Sequence, residues 1–545
     1  MPAIQTRPPS TSSTPVPPPR QRRVIATWAV PLGYLVVSLF GMWWIDARPD
    51  AVLAGFEDIA ALLQRMVPPV VDDPGSLLEL TLETLWIAIA GTGLATIVSL
   101  PLAAAASNRY SGPRAVQWVA RAIIVLSRAV PTLLFAIIFV RIFGLGPLAG
   151  ALAVAAHSIG MIGKLMTDVF EEQDPVANDA VAAVGASRTQ IFLATTLSRA
   201  LPAVSSLVLY RLDINIRASA VLGLVGAGGI GVALQTAIGS LNYQRALGII
   251  VFIVVLLLIL ELIAYLVQRA VAEHAEENSA VALYGKREDP RVLGWNVSRG
   301  FRVGGAVAAA GAFMFSLTQL QIDFARMGRS VDIALSMLAG FFPPNISAEV
   351  LIGVLESFLM AITATTVGGV FGLVLAILST RHLIRFEPLS LAIRGALVLV
   401  RGVPDIIFAL LFVAALGLGP FAGFLALTIS CTVLSAKLFA DSLEKVDPAP
   451  IRALQATGAG RIQVFVSGVW PQFVPSFISN GMLTSDLALR ESAVLGIVGA
   501  GGVGFILEES VATLDYQTTA GVLVSFVAIV VLLEAIARWA RRRIL

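Results

Sequence analysis

Charged side chains inside otherwise apolar segments are the first chemical signal in this sequence. Arg128 and Arg401 each stand three residues before a proline, and Arg217 and Arg490 occupy a second pair of matching segments. A charge within a membrane costs roughly 2.5–3.5 kcal/mol on insertion scales, so such groups usually face the interior of a helical bundle. Repeated cations in apolar surroundings favour a polar route for an anion. The residues predicted to line this route are Arg128, Arg217, Ser219, Arg401, Arg490, Glu491 and Ser492.

Two structural alternatives remain open for these charges. Snorkelling to the inner membrane interface would account for Arg128 and Arg401. Aspartates four residues before Arg217 and Arg490 would neutralise each of these arginines on its own helix face. Glu491 breaks the pattern, because the matching residue of the first copy is an alanine. It indicates either an asymmetric route or a partner for Arg490.

The composition places these segments in a membrane. Of the 545 residues, 57% are hydrophobic and 13% are charged, whereas a soluble domain carries about a quarter charged residues. The net charge is +3, and no Lys/Arg run is interleaved with aromatics, which argues against a nucleic-acid partner. The single cysteine, Cys431, excludes a disulfide framework and a Cys-based metal site. The three histidines lack ligand spacing, so no metal is expected.

Twelve apolar segments are long enough to cross a bilayer, which requires roughly 20 residues. They lie at 24–45, 78–106, 116–143, 148–170, 197–224 and 246–268, and at 301–321, 350–379, 392–416, 421–443, 472–498 and 519–540. The distribution of Lys and Arg between the loops places both termini in the cytoplasm. Shorter apolar segments near 55–70 and 330–342 are candidates for the membrane interface.

The sequence contains the same unit twice, offset by 273 residues. From 128 to 150, 13 of 23 positions are identical to 401–423, and from 217 to 231, 12 of 15 are identical to 490–504. Glu261 likewise matches Glu534. Each half has an even number of spans, so the halves share one orientation and are predicted to be parallel repeats with a pathway between them.

The predicted fold class is therefore all-α: a polytopic transmembrane helical bundle with two homologous halves of about six helices each. The predicted domains are a disordered cytoplasmic tail at 1–23, a first permease half at 24–272, a cytoplasmic linker at 273–298 and a second permease half at 299–545.

A polar, helix-compatible segment lies between the fourth and fifth spans of both halves. An Asp-Pro pair at 174–175 and at 447–448 is typical of a helix start, and a glycine later in each segment supplies a C-terminal break. An ordinary connecting helix would explain either copy alone, but the repetition favours a docking role. The predicted docking residues are Asp174, Pro175, Asp179, Ala180, Gly185, Ala186, Asp447, Pro448, Arg452, Ala453, Gly458 and Ala459.

Both halves also contain a glycine run that matches G-x-G-x-x-G, at 226–231 and 499–504. A dinucleotide site would require a preceding strand in a βαβ unit, whereas these runs end apolar helices, so nucleotide binding is not expected. The glycines are predicted to break the helix and to let backbones pack closely near a gate. The predicted gate glycines are Gly226, Gly228, Gly229, Gly499, Gly501 and Gly502.

The docking segments resemble the cytoplasmic coupling loop of ABC importer permeases. Residues 179–181 (Asp-Ala-Val) stand six residues before Gly185, and residues 452–454 (Arg-Ala-Leu) stand six before Gly458. Pro471 falls at the family's spacing in the second half, where the first half has a serine. The Glu that opens the family pattern is missing from both copies, so the ion pair of that Glu is not expected here.

More narrowly, the Arg-x-x-Pro and Gly-Leu-Gly-Pro motifs and residues 490–504 resemble the permease of phosphonate importers, with both halves fused in one chain. This resemblance implies a transport subunit in the bacterial inner membrane that binds no cofactor itself and is not an enzyme. ATP and magnesium would lie on two copies of a cytoplasmic ABC ATPase, and an extracytoplasmic substrate-binding protein would deliver phosphonate, phosphate or phosphite. The sequence contains no G-x-x-x-x-G-K-[ST] loop, which agrees with separate ATPase subunits.

Two alternatives remain: a purely structural membrane scaffold, against which the repeated docking segments argue, and a secondary transporter with parallel repeats, driven by an ion gradient. The second of these makes a specific demand on the sequence. It would use intramembrane acids as ion ligands, and Asp213, Asp486 and Glu491 are the candidates. Their arginine neighbours make them poor ion sites.

Overall fold

The described part of the chain is built from helices. A computed structural model describes residues 21–47, 49–108, 113–260, 262, 297–380 and 387–544. The first half contains α1 (Gln21–Trp44), α2 (Pro49–Met66), α3 (Pro74–Ala106), α4 (Arg114–Ala129), α5 (Thr132–Phe143), α6 (Pro147–Glu171), α7 (Val176–Ala183), α8 (Arg188–Ile191), α9 (Ser198–Leu222), α10 (Gly231–Gly239) and α11 (Tyr243–Leu260). The second half contains α12 (Val297–Thr318), α13 (Phe324–Gly340), α14 (Ala348–Ser379), α15 (Glu387–Arg401), α16 (Asp405–Leu416), α17 (Pro420–Leu443), α18 (Pro448–Ala456), α19 (Arg461–Val464), α20 (Trp470–Gly496), α21 (Val503–Ala512) and α22 (Tyr516–Ile544). The all-α prediction is confirmed.

Apart from the first residues of α1 and α12, the predicted tail at 1–23 and linker at 273–298 lie outside the described residues. Within the described ranges, seven helices are long and apolar enough to cross a membrane alone: α3, α6, the helix from Arg188 to Val225 that contains α8 and α9, α11, α14, α17 and α22. α1 and α12 have shorter apolar stretches, Val30–Trp44 and Val303–Thr318. α20 is the repeat counterpart of α9.

The predicted spans at 116–143 and 392–416 are not straight helices, because each consists of two helices that meet at a sharp bend and that are apolar enough to cross a membrane when taken together. α4 and α5 meet at 96°, and α15 and α16 meet at 79°. Proline has no N–H to continue the helix, and it pushes the residue before it towards an extended conformation. Val130, before Pro131, accordingly has φ −88° and ψ 123°. We call the two bends the elbows, at 128–132 and 401–405.

The first helix of each half packs on the opposite half. The Ser38 hydroxyl of α1 donates to Thr366 Oγ1 of α14 at 2.6 Å. Trp86 of α3 and Phe315 of α12 meet edge to face, with ring centroids 5.0 Å apart. α2 and α13 continue this exchange, since α2 packs on α16 and α13 packs on α5. Each half is therefore completed by helices from the other.

Within each half, glycines let two long helices approach closely and form a frame, α3 with α6 and α14 with α17. A Cβ on Gly91 would lie 2.8 Å from a backbone oxygen of α6, and a Cβ on Gly368 would lie 2.9 Å from one of α17. Gly160 of α6 also holds the first elbow, because a Cβ there would lie 2.4 Å from the backbone nitrogen of Arg128. Larger residues at these positions would push the frame or the elbow apart.

Candidate functional site

The two halves meet at the first elbow through an ion pair and a backbone hydrogen bond. The guanidinium of Arg128 donates to Glu534 Oε1 on α22 at 2.5 Å. Arg490 on α20 donates from Nη1 to the backbone oxygen of Arg128 at 2.9 Å. We call the group Arg128, Asp486, Arg490 and Glu534 the seam. Sequence reasoning selects both arginines, and it notes Glu534 as a repeated residue without giving it a role.

Arg490 is also anchored on its own helix. Its Nη2 donates to the two carboxylate oxygens of Asp486 at 3.1 and 2.9 Å. In the first half, Arg217 donates to Asp213 Oδ2 at 3.1 Å, so both i,i+4 pairs considered from the sequence are present. Arg490 is 8% exposed, and in the described part of the chain its Nε has no hydrogen-bond partner. One donor of this buried guanidinium is therefore left without an acceptor.

The two serines predicted to line the route lie buried against their own helices. The hydroxyl of Ser219 donates to the backbone oxygen of Asn215 at 2.8 Å, and that of Ser492 donates to the backbone oxygen of Leu489 at 2.7 Å. Both serines are fully buried. Their place in a route, like that of Arg401 at the second elbow, stays a prediction.

The interior of the first half contains a buried chain of hydrogen bonds. Arg211 Nε donates to Ser158 Oγ at 3.3 Å, and Ser158 Oγ donates to Asn215 Oδ1 at 3.0 Å. Asn215 Nδ2 in turn donates to Thr92 Oγ1 at 2.8 Å. This network joins α3, α6 and α9, and buried polar groups paired in this way fix the helix packing because leaving any of them unpaired is costly. None of its members is among the residues predicted from the sequence to line the route.

The matching region of the second half carries acids. Asp405 stands where the first half has Thr132, and Glu491 stands where it has Ala218. Both acids are partly buried. Sequence reasoning selects Glu491 but not Asp405. A position-by-position comparison of the two elbows contains the signal, since Asp405 is a mismatch directly after an Arg-x-Val-Pro match.

The six predicted gate glycines form tight turns with left-handed backbone. Their φ angles lie between +74° and +88°, a region that residues with a Cβ rarely adopt. Gly146 N donates to Gly226 O at 3.0 Å, and Gly419 N donates to Gly499 O at 2.9 Å. Each glycine turn is thereby bound to the Gly-Leu-Gly-Pro turn of its own half. The predicted helix break is present, and the role in gating stays a prediction.

The frame helices hold the same glycine turns from the other side. Gly229 N donates to Glu83 Oε1 at 3.1 Å, and Gly502 N donates to Glu356 Oε2 at 3.0 Å. The next N–H along the chain donates in each half to a hydroxyl 2.9 Å away, on α3 or on α14. The backbone N–H groups freed by the helix break are thus satisfied identically in both copies.

The docking segments are short helices with no buried residue, α7 and α18. Asp174 Oδ1 accepts from the third residue of its segment, Val176 N, at 3.0 Å, and Asp447 Oδ1 accepts from Ala449 N at 2.9 Å. Gly185 and Gly458 follow with φ of +84° and +80°. The predicted start and stop of each helix are therefore present. The remaining predicted docking residues lie on or beside these helices: Pro175, Asp179, Ala180, Ala186, Pro448, Arg452, Ala453 and Ala459.

The two docking helices are held to the bundle by different chemistry. In the first half, Thr195 Oγ1 donates to Asn178 Oδ1 at 2.5 Å. The matching residues of the second half are Gly468 and Ile451, and a Cβ on Gly468 would lie 3.0 Å from the side chain of Leu454. A polar anchor in one half therefore corresponds to an apolar contact in the other.

Within the described ranges, no cluster of three or more His, Cys, Asp or Glu residues is arranged to hold a metal ion. Cys431 is a buried free thiol whose sulfur lies 3.8 Å from Thr365 Oγ1.

Both halves match one protein family. Residues 97–275 and 368–545 each correspond to the family described as the inner membrane component of binding-protein-dependent transport systems. The chain therefore belongs to this family of membrane permeases and contains its domain twice. The prediction of an importer permease with both halves fused in one chain is confirmed.

Two relatives show how far the similarity extends. The phosphate-import permease protein PhnE of Mycolicibacterium smegmatis is 38% identical over 510 residues, which cover 93% of this chain and 93% of that protein. The phosphite transport system permease protein PtxC of Stutzerimonas stutzeri is 33% identical over 239 residues, 44% of this chain and 86% of that protein. PtxC therefore corresponds in length to one half of this chain.

Proposed function

We propose that this chain is the membrane-spanning permease of an ATP-driven importer for a small phosphorus oxyanion: phosphonate, phosphate or phosphite. The observation that carries the proposal is the 38% identity to a phosphate-import permease along nearly the whole chain. The interior arginines support an anionic solute, because guanidinium groups pair with the oxygens of such anions.

The two docking helices would transmit the force of ATP hydrolysis. α7 and α18 occupy the same place in both halves and bury none of their residues within the chain. One ABC ATPase subunit would bind at each helix, with ATP and magnesium on the ATPases. Closure of the ATPases would tilt the halves as rigid bodies and open the pathway to alternate sides.

A substrate-binding protein would deliver the oxyanion on the opposite side of the membrane. The docking helices and both termini would then lie in the cytoplasm, as the distribution of basic residues favours. The inner membrane location follows from the family description.

Reconstitution tests the solute and the energy source together. The chain is purified with its two ATPase subunits, placed in proteoliposomes and supplied with the binding protein and labelled phosphate. We expect phosphate uptake to require ATP. Excess phosphonate or phosphite should reduce this uptake by competition. Uptake by the chain alone under an ion gradient would contradict the proposal and support a secondary transporter.

A charge placed on each docking helix tests the coupling. Ala180 and Ala453 are exposed at matching positions of α7 and α18. We expect Ala180→Asp and Ala453→Asp each to reduce ATP-dependent uptake by about tenfold and to weaken ATPase binding, because burying a charge in an apolar contact is costly.

The control is Ala61→Asp on α2, an exposed helical alanine away from the docking helices, which should leave uptake within twofold of the unmodified chain. Equal uptake by all three variants, with ATPase binding unchanged, would show that α7 and α18 do not dock the ATPases.

A further inference from the structure

We propose that Glu534 is a positioning residue of the pathway: the resident counter-ion of an oxyanion subsite formed by Arg128 and Arg490 at the seam, replaced there by the transported anion. This inference rests on the proposed function. It assigns a role to Glu534, for which the sequence alone predicts none. It also proposes that the subsite opens when the transported anion replaces the Glu534 carboxylate.

The ion pair between Arg128 and Glu534 joins the two halves, which separate in the proposed transport cycle. Arg128 belongs to the elbow of the first half and Glu534 belongs to α22 of the second, with 2.5 Å between donor and acceptor. The side chains of Arg128 and Glu534 are 19% and 21% exposed, so the pair is largely desolvated. Either charge would be costly to bury without the other. Moving the halves apart breaks this pair and leaves the Arg128 guanidinium in need of another anion.

Arg490 supplies the second cation and an open donor. Its Nη1 donates to the backbone oxygen of Arg128 and its Nη2 donates to the Asp486 carboxylate, while its buried Nε has no hydrogen-bond partner in the described chain. A buried donor without an acceptor is rare and points to a group that is absent from the chain itself. An oxyanion oxygen at this nitrogen would satisfy it.

The charges at the seam balance at rest and become positive when Glu534 leaves. Arg128 and Arg490 carry two positive charges, and Asp486 and Glu534 carry two negative charges. Once Glu534 is withdrawn, one positive charge is uncompensated, which suits a monoanion or part of a dianion with at least two unprotonated oxygens. Phosphate, phosphite and alkylphosphonates all offer that pair of oxygens at neutral pH.

A second basic residue on α22 can pair with Glu534. Arg538 stands four residues later on α22, one helical turn away, so the two side chains lie on the same face of that helix. The carboxylate can therefore leave Arg128 without becoming an unpaired charge. The matching residue of the first half, Glu261, lies outside the described residues.

The test measures binding of inorganic phosphate to the resting complex, in which the permease is bound to its ATPases without nucleotide or binding protein. With Glu534→Gln, the arginines lose their resident anion, so we expect phosphate to bind at least tenfold more tightly than to the unmodified complex. Release would then be slower, and ATP-dependent uptake in proteoliposomes should fall severalfold. Glu534→Asp keeps the charge on a shorter arm and should give intermediate phosphate binding.

The matched control is Glu444→Gln. Glu444 pairs with Arg394 at the same 2.5 Å, but both residues belong to the second half and are 37% and 40% exposed. Phosphate binding by this variant should equal that of the unmodified complex. If Glu534→Gln fails to assemble, the comparison of Glu534→Asp with Glu444→Gln decides the question.

Equal phosphate binding by the Glu534 and Glu444 variants, with normal uptake by the unmodified complex, would overturn this inference and leave the proposed function standing. Failure of the unmodified complex to take up any phosphorus oxyanion would overturn the proposed function instead. The phosphate-binding assay would still report on the subsite in that case.

Discussion

The two halves have the same frame and different interiors. The bonds that hold the glycine turns agree within 0.1 Å between the copies, for instance 3.0 Å from Gly146 to Gly226 and 2.9 Å from Gly419 to Gly499. At the network position of Asn215, by contrast, the second half has Ala488.

Charge separates the interiors in the same way. The first half is basic and hydrogen-bonded, whereas the second holds Asp405 and Glu491. In a dimer of identical chains every substitution would appear twice. Fusion allows the side chains to diverge while the backbone geometry that both halves need stays the same.

The largest expected effect comes from the glycine turns, which test how far the frames are equivalent. A Cβ on Gly501 would lie 2.7 Å from the backbone nitrogen of Pro420 at φ +74°. A Cβ on Gly228 would first meet the flexible end of Glu83, and its nearest backbone atom would be 3.0 Å away. We expect Gly501→Ala to destabilise the complex by about 3 kcal/mol, from left-handed strain and overpacking together, and Gly228→Ala to cost less.

Thermal unfolding of the purified complex measures the difference, with phosphate uptake as a second readout. The control is Gly417→Ala, which has φ +88° but no atom within 4 Å of the new Cβ, so it reports strain alone. A larger loss of stability for Gly228→Ala than for Gly501→Ala would mean that the second glycine turn is not the tighter one.

The second prediction exchanges the network position between halves. Asn215→Ala removes two buried hydrogen bonds, to Ser158 and Thr92, and should lower stability by about 2 kcal/mol. The reverse change, Ala488→Asn, forces a larger side chain into a position that is 4% exposed, and it should also destabilise, by overpacking. Both are measured by thermal unfolding. Stability unchanged by Asn215→Ala would show that the hydrogen bonds of the first half do not hold its helices together.

The smallest effect concerns the start of the first frame helix, outside the membrane-spanning part. Asp73 Oδ1 accepts from Gly75 N at 3.1 Å and Ser76 N at 3.2 Å, and the backbone hydrogen bond from Ser76 is the main cause that lowers the pKa of Asp73. At the matching helix start, Ser347 accepts from Val350 N with a hydroxyl that does not titrate. The ionised Asp73 therefore stabilises above its unfolded pKa of about 4, and this contribution is lost as the pH falls through the lowered folded value.

Asp73→Ser would give the first frame the helix cap of the second. We expect unfolding temperatures within roughly a degree at pH 7, and a smaller decrease than in the unmodified complex between pH 5 and 3. Ser347→Asp should make the unfolding temperature fall further between pH 5 and 3. Parallel curves for all three proteins would mean that the cap at Asp73 adds nothing to the acid sensitivity.

Features with a local cause could be predicted from the sequence. The repeat fixes which elements occur twice, the Asp-Pro and glycine signals give the ends of α7 and α18, and the apolar segments give most spans. Hydropathy predicts one span across each elbow, because it counts apolar residues and takes no account of the angle between two helices. Pro131 and Pro404 carry the signal, yet a proline alone does not distinguish a slight kink from a bend of 96°.

Contacts between distant segments could not be predicted in this way. The pairing of Arg128 with Glu534 joins residues 406 apart, and no local pattern specifies which half supplies the partner. Asn215 looks unremarkable in the sequence, since its meaning comes from Ser158 and Thr92 on other helices. Asp405 is the intermediate case, because comparing the two copies exposes it but does not say what it faces.

The exchange of first helices has a consequence for how the protein is made. α1 is synthesised first, but the groove it fills lies on α14, whose residues leave the ribosome roughly 300 positions later. At about 5–20 residues per second, α1 waits in the bilayer for tens of seconds before its partner exists. Translation interrupted between the halves would release a nascent chain whose leading helix has nowhere to dock, a ready substrate for membrane quality control.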